Sequence, residues 1–254
     1  MTKTTSDITD YEFAGNIRDR LIKQLIVTNE QLEQFAYVAS HDLREPLRIV
    51  VSFTDLLAKE YGNKLDDNGW NYMAIIRQAA KKMEAMVADL LEYGRLGQSS
   101  ERFIETNCNK ILQQSIENLG EAINTTHASI QSDPLPTVVV NPIRISRLFQ
   151  NLIGNALKYQ PSDRTPVIHI SAEDKDDHWQ FAIADNGIGI ASQHLDAIFA
   201  PFKRLHSDQE YFGTGIGLAI CKRIVESFDG VLWAESTVGC GSIFYFTIPK
   251  RAEA

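Results

Sequence analysis

One feature constrains the fold of this chain more than any other. From about Phe13 to Tyr61 its apolar positions repeat at helical spacing. Ile17, Leu21, Leu25, Thr28, Leu32, Phe35 and Ala39 step by four or three, and Arg18, Arg20, Lys23, Glu30 and Glu33 lie off that line. A seam with a seven-residue period needs a partner helix to cover it. Gly62 to Gly69 is a breaker cluster that predicts a turn. A second helical pattern follows, with Trp70, Met73, Ile76, Ala80, Met83, Val87, Leu90 and Tyr93 on one side, and fades near Gly94 to Ser100. The expected layout is a flexible lead-in over 1–12, a helical hairpin over 13–97, a hinge over 98–102 and a second domain over 103–254. Two antiparallel helices bury one seam, and the apolar surface here is wider than that. Pairing of two hairpins into a dimeric four-helix bundle is the economical solution, and packing onto the second domain is the alternative.

Inside the first pattern sits Ser40-His41-Asp42-Leu43-Arg44-Glu45-Pro46-Leu47. Arg44 and Arg48 follow His41 at i+3 and i+7, on its face of the helix. Pro46 cannot donate to the carbonyl of residue 42, so the helix is expected to loosen or kink there. A neutral imidazole is a good nucleophile near pH 7, a neighbouring carboxylate can orient or take its proton, and arginines can hold phosphate oxygens. The stretch suits a phosphoryl acceptor, and it equally suits an ordinary solvated histidine.

Composition narrows the classes. The chain has 254 residues, 44% hydrophobic and 23% charged, enough to pack one large or two modest domains. With 33 acids against 25 Lys and Arg, the net charge is −8, which argues against a dedicated nucleic-acid binder. The three cysteines, Cys108, Cys221 and Cys240, form no metal-binding spacing and suggest reduced thiols in a cytoplasmic setting. No apolar run reaches the length of a membrane span.

From Phe103 the pattern changes to mixed helices and strands, which predicts an α+β two-layer sandwich with helices over one face of a mixed sheet. Helices are expected over Cys108 to about Asn124, Pro142 to about Tyr159, Ser192–Phe199 and Gly215–Phe228. Strands are expected at His127–Gln131, Thr137–Val140, Val167–Glu173, Trp179–Ala184, Val231–Glu235 and Ser242–Ile248. Three constellations fall on the junctions. Asn151, Asn155, Lys158 and Tyr159 recur at helical spacing. An amide oxygen can ligate Mg²⁺, a lysine can meet phosphate and a tyrosine offers a stacking surface; a plain amphipathic helix fits this stretch as well. Asp185-Asn-Gly187-Ile-Gly189 follows a strand, and its aspartate can accept from an exocyclic amine such as that of adenine. A plain turn is the alternative, while a Ca²⁺ loop would need further acids. Gly213-Thr214-Gly215-Ile-Gly217-Leu218 enters a helix, where backbone amides can hold phosphate. Ahead of it Phe199, Phe202, Lys203 and Arg204, then a polar run, suggest a hinged lid whose cations can reach phosphate.

Taken in order, these motifs resemble those of the sensor histidine kinases of two-component signalling. Ser40 to Leu47 is similar to the family's H-box, Asn151 to Tyr159 to its N-box, Asp185 to Gly189 to G1, Phe199 to Phe202 to the F-box and Gly213 to Gly217 to G2. The match spans about residues 20 to 249. The resemblance implies a dimerisation and histidine-phosphotransfer hairpin joined to a GHKL-type (Bergerat) ATP-binding domain, with ATP and Mg²⁺ as cofactors. It implies His41 as phospho-acceptor and Asp42 as proton acceptor. Asn155 would hold Mg²⁺, with Asn151, Lys158 and Arg204 near the phosphates. Asp185 would take the adenine amine and Tyr159 would lie against the ring. Gly187, Gly189, Phe202, Gly213, Thr214, Gly215, Gly217 and Leu218 complete the nucleotide set. The implied partners are a second copy of the chain, a response-regulator receiver domain whose aspartate receives the phosphoryl group, and a sensor upstream or on a separate chain.

Two positions refine this picture. Related ATPases that use water place a glutamate base where this chain has Asn151, so ATP is expected to await the histidine. Many relatives carry Thr or Asn four residues after the histidine; here Glu45 stands there, and an ionised carboxylate cannot donate a hydrogen bond. Phosphatase activity toward the partner is thereby in doubt. The competing classes are a docking protein that binds ATP without transfer, and a GHKL ATPase whose turnover ignores His41.

Overall fold

The computed structural model describes residues 43–95, 102–205, 211 and 213–250. His41 and Asp42, the seam from Ile17 to Ala39, the lead-in and residues 98–101 of the expected hinge lie outside the described residues. The chain divides into two compact units, Met1–Arg95 and Leu96–Ala254.

The first unit is a helical hairpin. Helix α1 runs through the described residues 43–61, with helical backbone on both sides of Pro46. A single 3₁₀ turn, Gly62–Lys64, leads to α2, Asp67–Arg95. The breaker cluster is therefore shorter than expected, because Asp66 caps α2 by accepting from the Gly69 amide at 2.8 Å. Asp67, Asn68 and Gly69 thus belong to the first turn of the helix. Leu47, Thr54, Ala80, Val87 and Leu91 are buried in the hairpin. Arg77 reaches Asp55 across it at 3.3 Å. The apolar surface continues beyond this seam: Leu43, Val50, Phe53 and Leu57 on α1, and Trp70, Tyr72, Ile76 and Met83 on α2, are exposed.

The second unit is the expected sandwich. Strand β1 (Ile104–Asn107) pairs antiparallel with β3 (Thr137–Val140) in a small sheet. Between them lie α3 (Cys108–Asn118), α4 (Gly120–Thr126) and β2 (Ser129–Ser132). The single helix expected over Cys108 to Asn124 is two, divided at Leu119, and α4 stops where His127 takes φ 55°. Helix α5 (Pro142–Lys158) begins where Asn141 accepts from the amides of Ile143 and Arg144 and Pro142 fills the first turn. Strands β4 (Val167–Asp174) and β5 (His178–Asp185), helix α6 (Gly217–Ser227) and strands β6 (Leu232–Thr237) and β7 (Gly241–Pro249) complete it. The five-stranded sheet has the order β2-β4-β5-β7-β6, with only β2 and β4 parallel.

Period-two alternation puts Ile168, Ile170, Phe181, Ile183, Phe244 and Phe246 on one face of this sheet, all buried. Helix α5 covers that face. Phe149 meets Phe181 and Phe246 edge-on with centroids 6.3 and 6.1 Å away, and those two rings stack at 4.7 Å. The helix expected over Ser192–Phe199 is instead two 3₁₀ turns, Ser192–His194 and Ala197–Phe199. Their Ile198 and Phe199 are buried, so the apolar pattern there marks burial rather than a continuous helix.

Candidate functional site

The pocket in the second unit forms where several element ends converge. It is lined by Asn155 and Tyr159 at the end of α5, Asp185 at the end of β5, and Ile188, Gly189 and Ile190 in the loop that follows. Ile198, Lys203, Arg204 and Leu205 supply another side, and Leu218, Ser242 and Phe244 close it. The pocket is open on one side and is bounded mostly by apolar surface with a few polar atoms among it.

Asp185 is the best-defined polar group. Its Oδ1 accepts from the Gly187 amide at 2.8 Å and from the Ser242 amide at 3.2 Å. The register of β5 and β7 makes Ser242 its cross-strand partner. Among the described residues Oδ2 has no hydrogen bond, so it can accept from a donor in the pocket. Burial pushes the carboxyl above the ordinary aspartate range, and the two amides act in the opposite direction. The glycines around it are forced by contact. A Cβ on Gly187 would strike the Tyr159 carbonyl. A Cβ on Gly189, at φ 71°, would strike the Thr237 carbonyl, and one on Gly241, at φ 112°, the Asp185 carbonyl.

The polar face of α5 behaves differently from residue to residue. Asn155 lines the pocket. Among the described residues the buried Asn151 Nδ2 atom has no hydrogen-bond partner, and a Cβ on Gly217 would lie 3.5 Å from its Oδ1. A buried, unpaired amide on α5, beside the start of α6, is costly unless a ligand satisfies it. Lys158 Nζ donates to Tyr159 Oη at 2.8 Å and lies 4.2 Å from the centre of that ring. A Cβ on Gly213 would come within 2.6 Å of the same Nζ. Arg204 Nη2 donates to the Tyr211 carbonyl at 2.6 Å, and the Tyr211 ring lies 5.1 Å from that of Tyr159. Both cations are thus beside the pocket, held by protein partners that phosphate oxygens could replace.

Six of the expected residues line the pocket: Asn155, Tyr159, Asp185, Gly189, Arg204 and Leu218. Gly187 and Gly215 act beneath or beside it as close-approach positions, while Gly213 faces the end of the Lys158 side chain and Gly217 has ordinary contact with Asn151. Thr214 Oγ1 accepts from the Ile216 amide at 3.4 Å. Phe202 is not part of the lining; it is half-exposed at φ 62°, and a Cβ on Gly215 would press on its backbone. Lys203, expected as a lid cation, also lines the site, together with Ile188, Ile190, Ile198, Leu205, Ser242 and Phe244, which were not singled out from the sequence. Alternation in β7 could have indicated Phe244 and Ser242, because both share the parity of buried Phe246.

The donor set fits a purine nucleotide with a divalent cation. A carboxylate oxygen waits in an apolar slot, one amide oxygen source lines the cavity, one buried amide lacks a partner, and two cations border it. Glycine-rich entry to α6 adds backbone amides at a helix start.

Two family models match the chain. The first, described as "Histidine kinase-, DNA gyrase B-, and HSP90-like ATPase", covers residues 140–252 and defines the class of this pocket. The second, "His Kinase A (phospho-acceptor) domain", covers residues 31–99. Cyanobacterial phytochrome A of Nostoc sp. (strain PCC 7120) is 44% identical over 230 residues, which is 91% of this chain and 30% of the relative. The adaptive-response sensory kinase SasA of Synechococcus sp. (strain JA-3-3Ab) is 36% identical, over 82% of this chain and 57% of the relative. Full-length ShkA, solved in complex with AMPPNP, superposes with a TM-score of 0.66 at 25% identity, over 87% of this chain and 47% of ShkA. The chain belongs to the sensor histidine kinases, with a phospho-acceptor and dimerisation domain followed by an ATP-binding domain. It spans less than two thirds of the length of each of these relatives.

Proposed function

We propose that the chain is the transmitter part of a two-component sensor: it binds ATP, phosphorylates His41 and passes the phosphoryl group to an aspartate of a response-regulator receiver domain. The observation that carries this reading is the pairing of Asp185, with Oδ2 open in an apolar pocket, and the unpartnered Asn151 amide at the entry to α6, in a chain that also matches a phospho-acceptor domain.

Each side chain has a place in the reaction. Asp185 Oδ2 accepts from the adenine amine, and Tyr159 lies against the base. Lys158 and Arg204 leave their present partners to neutralise phosphate oxygens, and the Gly213–Gly217 backbone lines the phosphate path. Asn155 would hold Mg²⁺ by its amide oxygen, and the ion would supply charge neutralisation at the phosphates. His41 presents its free nitrogen to the γ-phosphorus while Asp42 takes or orients the proton on the other ring nitrogen. With Asn151 where a carboxylate base would activate water, hydrolysis is slow relative to transfer.

The exposed apolar surface of α1 and α2 is the dimer face, which two hairpins bury together. A receiver domain docks near His41; the structure of ThkA in complex with the response regulator TrrA, 23% identical with a TM-score of 0.59, shares this fold. A sensor acts from upstream or from another chain. No helix among the described residues is long and apolar enough to cross a membrane, and a cytoplasmic location accords with the ATP and thiol chemistry.

Incubation with γ-labelled ATP and Mg²⁺ tests the reading. The wild type acquires acid-labile, alkali-stable label that moves to an added receiver domain, and His41→Gln acquires none. Label retained by His41→Gln overturns the assignment.

A further inference from the structure

We propose that Arg164, which does not line the pocket, is a positioning residue for nucleotide binding. It clamps the loop after β5 to the turn between β6 and β7 and so fixes the end of the pocket that holds Asp185. This rests on the nucleotide reading above.

Arg164 lies between α5 and β4, in a segment bracketed by Pro161 and Pro166, whose rings fix φ. Its amide donates to the Pro161 carbonyl at 3.2 Å, which closes a turn. From that turn its Nη1 donates to two carbonyls, that of Asn186 at 2.6 Å and that of Gly239 at 3.2 Å. A guanidinium nitrogen of this kind carries two protons, so both bonds are made at once. Asn186 strengthens the junction from its own side. Its Nδ2 donates to the Thr165 carbonyl at 3.0 Å, and its Oδ1 accepts from the Val167 amide at 2.9 Å. The peptide that follows Asp185 is therefore fixed by both its carbonyl and its side chain.

The loop so held runs between two neighbours at contact distance. The Ile188 amide donates to the Tyr159 carbonyl at 3.1 Å, and the Gly239 amide donates to the Ile188 carbonyl at 2.7 Å. A Cβ on Gly187 would strike the first neighbour, at Tyr159, and one on Gly189 the second, at Thr237. Tyr159, Asp185, Ile188, Gly189, Ile190 and Ser242, which these three segments carry, all line the pocket. Their spacing is the width of the slot offered to the base. Arg164 is exposed, so its removal uncovers no core. What is lost is the cross-tie. The loop and the turn then sample wider spacings, and a ligand must order them as it binds. The effect lies at the base end, so it is the same whether the nucleotide carries two phosphates or three.

The test compares the wild type with Arg164→Met, which keeps the stem without donors, and Arg164→Lys, which keeps a cation with several donors. Calorimetry on the full chain with Mg²⁺ measures ATP and ADP binding, autophosphorylation gives kcat and KM, and thermal melts check the fold. Arg164→Met weakens ATP and ADP by the same factor of about 5, on the scale of one hydrogen bond. Its KM for ATP rises similarly while kcat at saturating ATP is unchanged, the mark of lost uniform binding. Arg164→Lys restores most of the affinity. Unchanged affinity in Arg164→Met, a loss confined to ATP, a fall in kcat at saturating ATP, or an Arg164→Lys as weak as Arg164→Met overturns the proposal. Should Arg164→Met unfold, Arg164→Gln, too short to bridge both carbonyls, takes its place under the same readings. A wild type that binds neither nucleotide overturns the nucleotide reading itself, and this inference with it.

Discussion

The hairpin and the sandwich treat apolar side chains in opposite ways. In the sandwich Phe149 and Phe181 are 0% exposed; in the hairpin Phe53 and Tyr72 are 61% and 62% exposed. The sandwich closes its own core between α5 and the sheet, so it can hold a pocket to fixed dimensions. The hairpin covers one seam and leaves a broad apolar arc, a surface that gains by association. Under the proposed function, the difference suits the two halves of a transfer reaction. A donor site needs a preorganised pocket, while an acceptor side chain that meets both a kinase pocket and a receiver domain needs an accessible helix.

The largest test of this contrast is Phe149→Ala. Truncating a fully buried ring costs about 3–5 kcal/mol. Chemical denaturation of the intact chain is expected to show the sandwich unfolding much earlier while the helical signal of the hairpin persists. Equal loss in both units would show that they do not fold independently.

Next comes Asp185→Asn. The new Oδ1 still accepts from Gly187 and Ser242, so the fold survives. The new amide cannot accept from an amine, and ATP affinity falls about 100-fold, near the 2–3 kcal/mol of a charged hydrogen bond. Acidity distinguishes the two roles of this residue. Because burial raises its pKa in the folded protein, the stability linked to Asp185 is present at acid pH and is lost as pH rises through that raised value. Base binding needs the ionised acceptor and runs the other way, declining as pH falls through the same value. Calorimetry and thermal melts across the acid range are expected to give these opposite slopes, and Asp185→Asn removes the slope of stability.

Phe53→Ser probes the other side of the comparison. Its ring is already exposed within one hairpin, so monomer stability changes by only about 0.5 kcal/mol. Dimer dissociation, followed by analytical ultracentrifugation, strengthens about 10-fold. An unchanged dimer constant would move the association surface elsewhere. The smallest effect belongs to Arg77→Ala. Arg77 and Asp55 are each about half exposed, and such pairs contribute about 0–1 kcal/mol. A thermal melt is expected to shift by no more than a few degrees.

Much of this was legible in the sequence, for physical reasons. Strands β4, β5 and β7 alternate cleanly because one face is buried, and Asn141-Pro142 marks the start of α5 through its side-chain acceptor and fixed φ. Asp185 and Asn155 were visible because unusual residue types stood at element ends. What stayed hidden depends on register and partners. Strand β1 has four residues, one of them buried, and gains its identity only from pairing with β3. Ser192–Phe199 carries an apolar pattern but too few turns to continue as a helix. Ser242 lies 57 residues from Asp185 in sequence and meets it only through the β5–β7 register. The role of Asp66 as a cap was masked by the surrounding breakers, which suggested a longer turn.

The distribution of thiols gives this molecule a built-in optical handle. Cys108 and Cys221 are buried, and burial pushes the Cys108 thiol up to about 12, out of reach of ordinary thiol reagents. Cys240 is exposed in the turn between β6 and β7, two residues before Ser242. A maleimide fluorophore on the unaltered chain would therefore attach at Cys240, in the turn that leads directly into the pocket-lining Ser242. Its emission would report the pocket filling and emptying in real time, with no engineered cysteine.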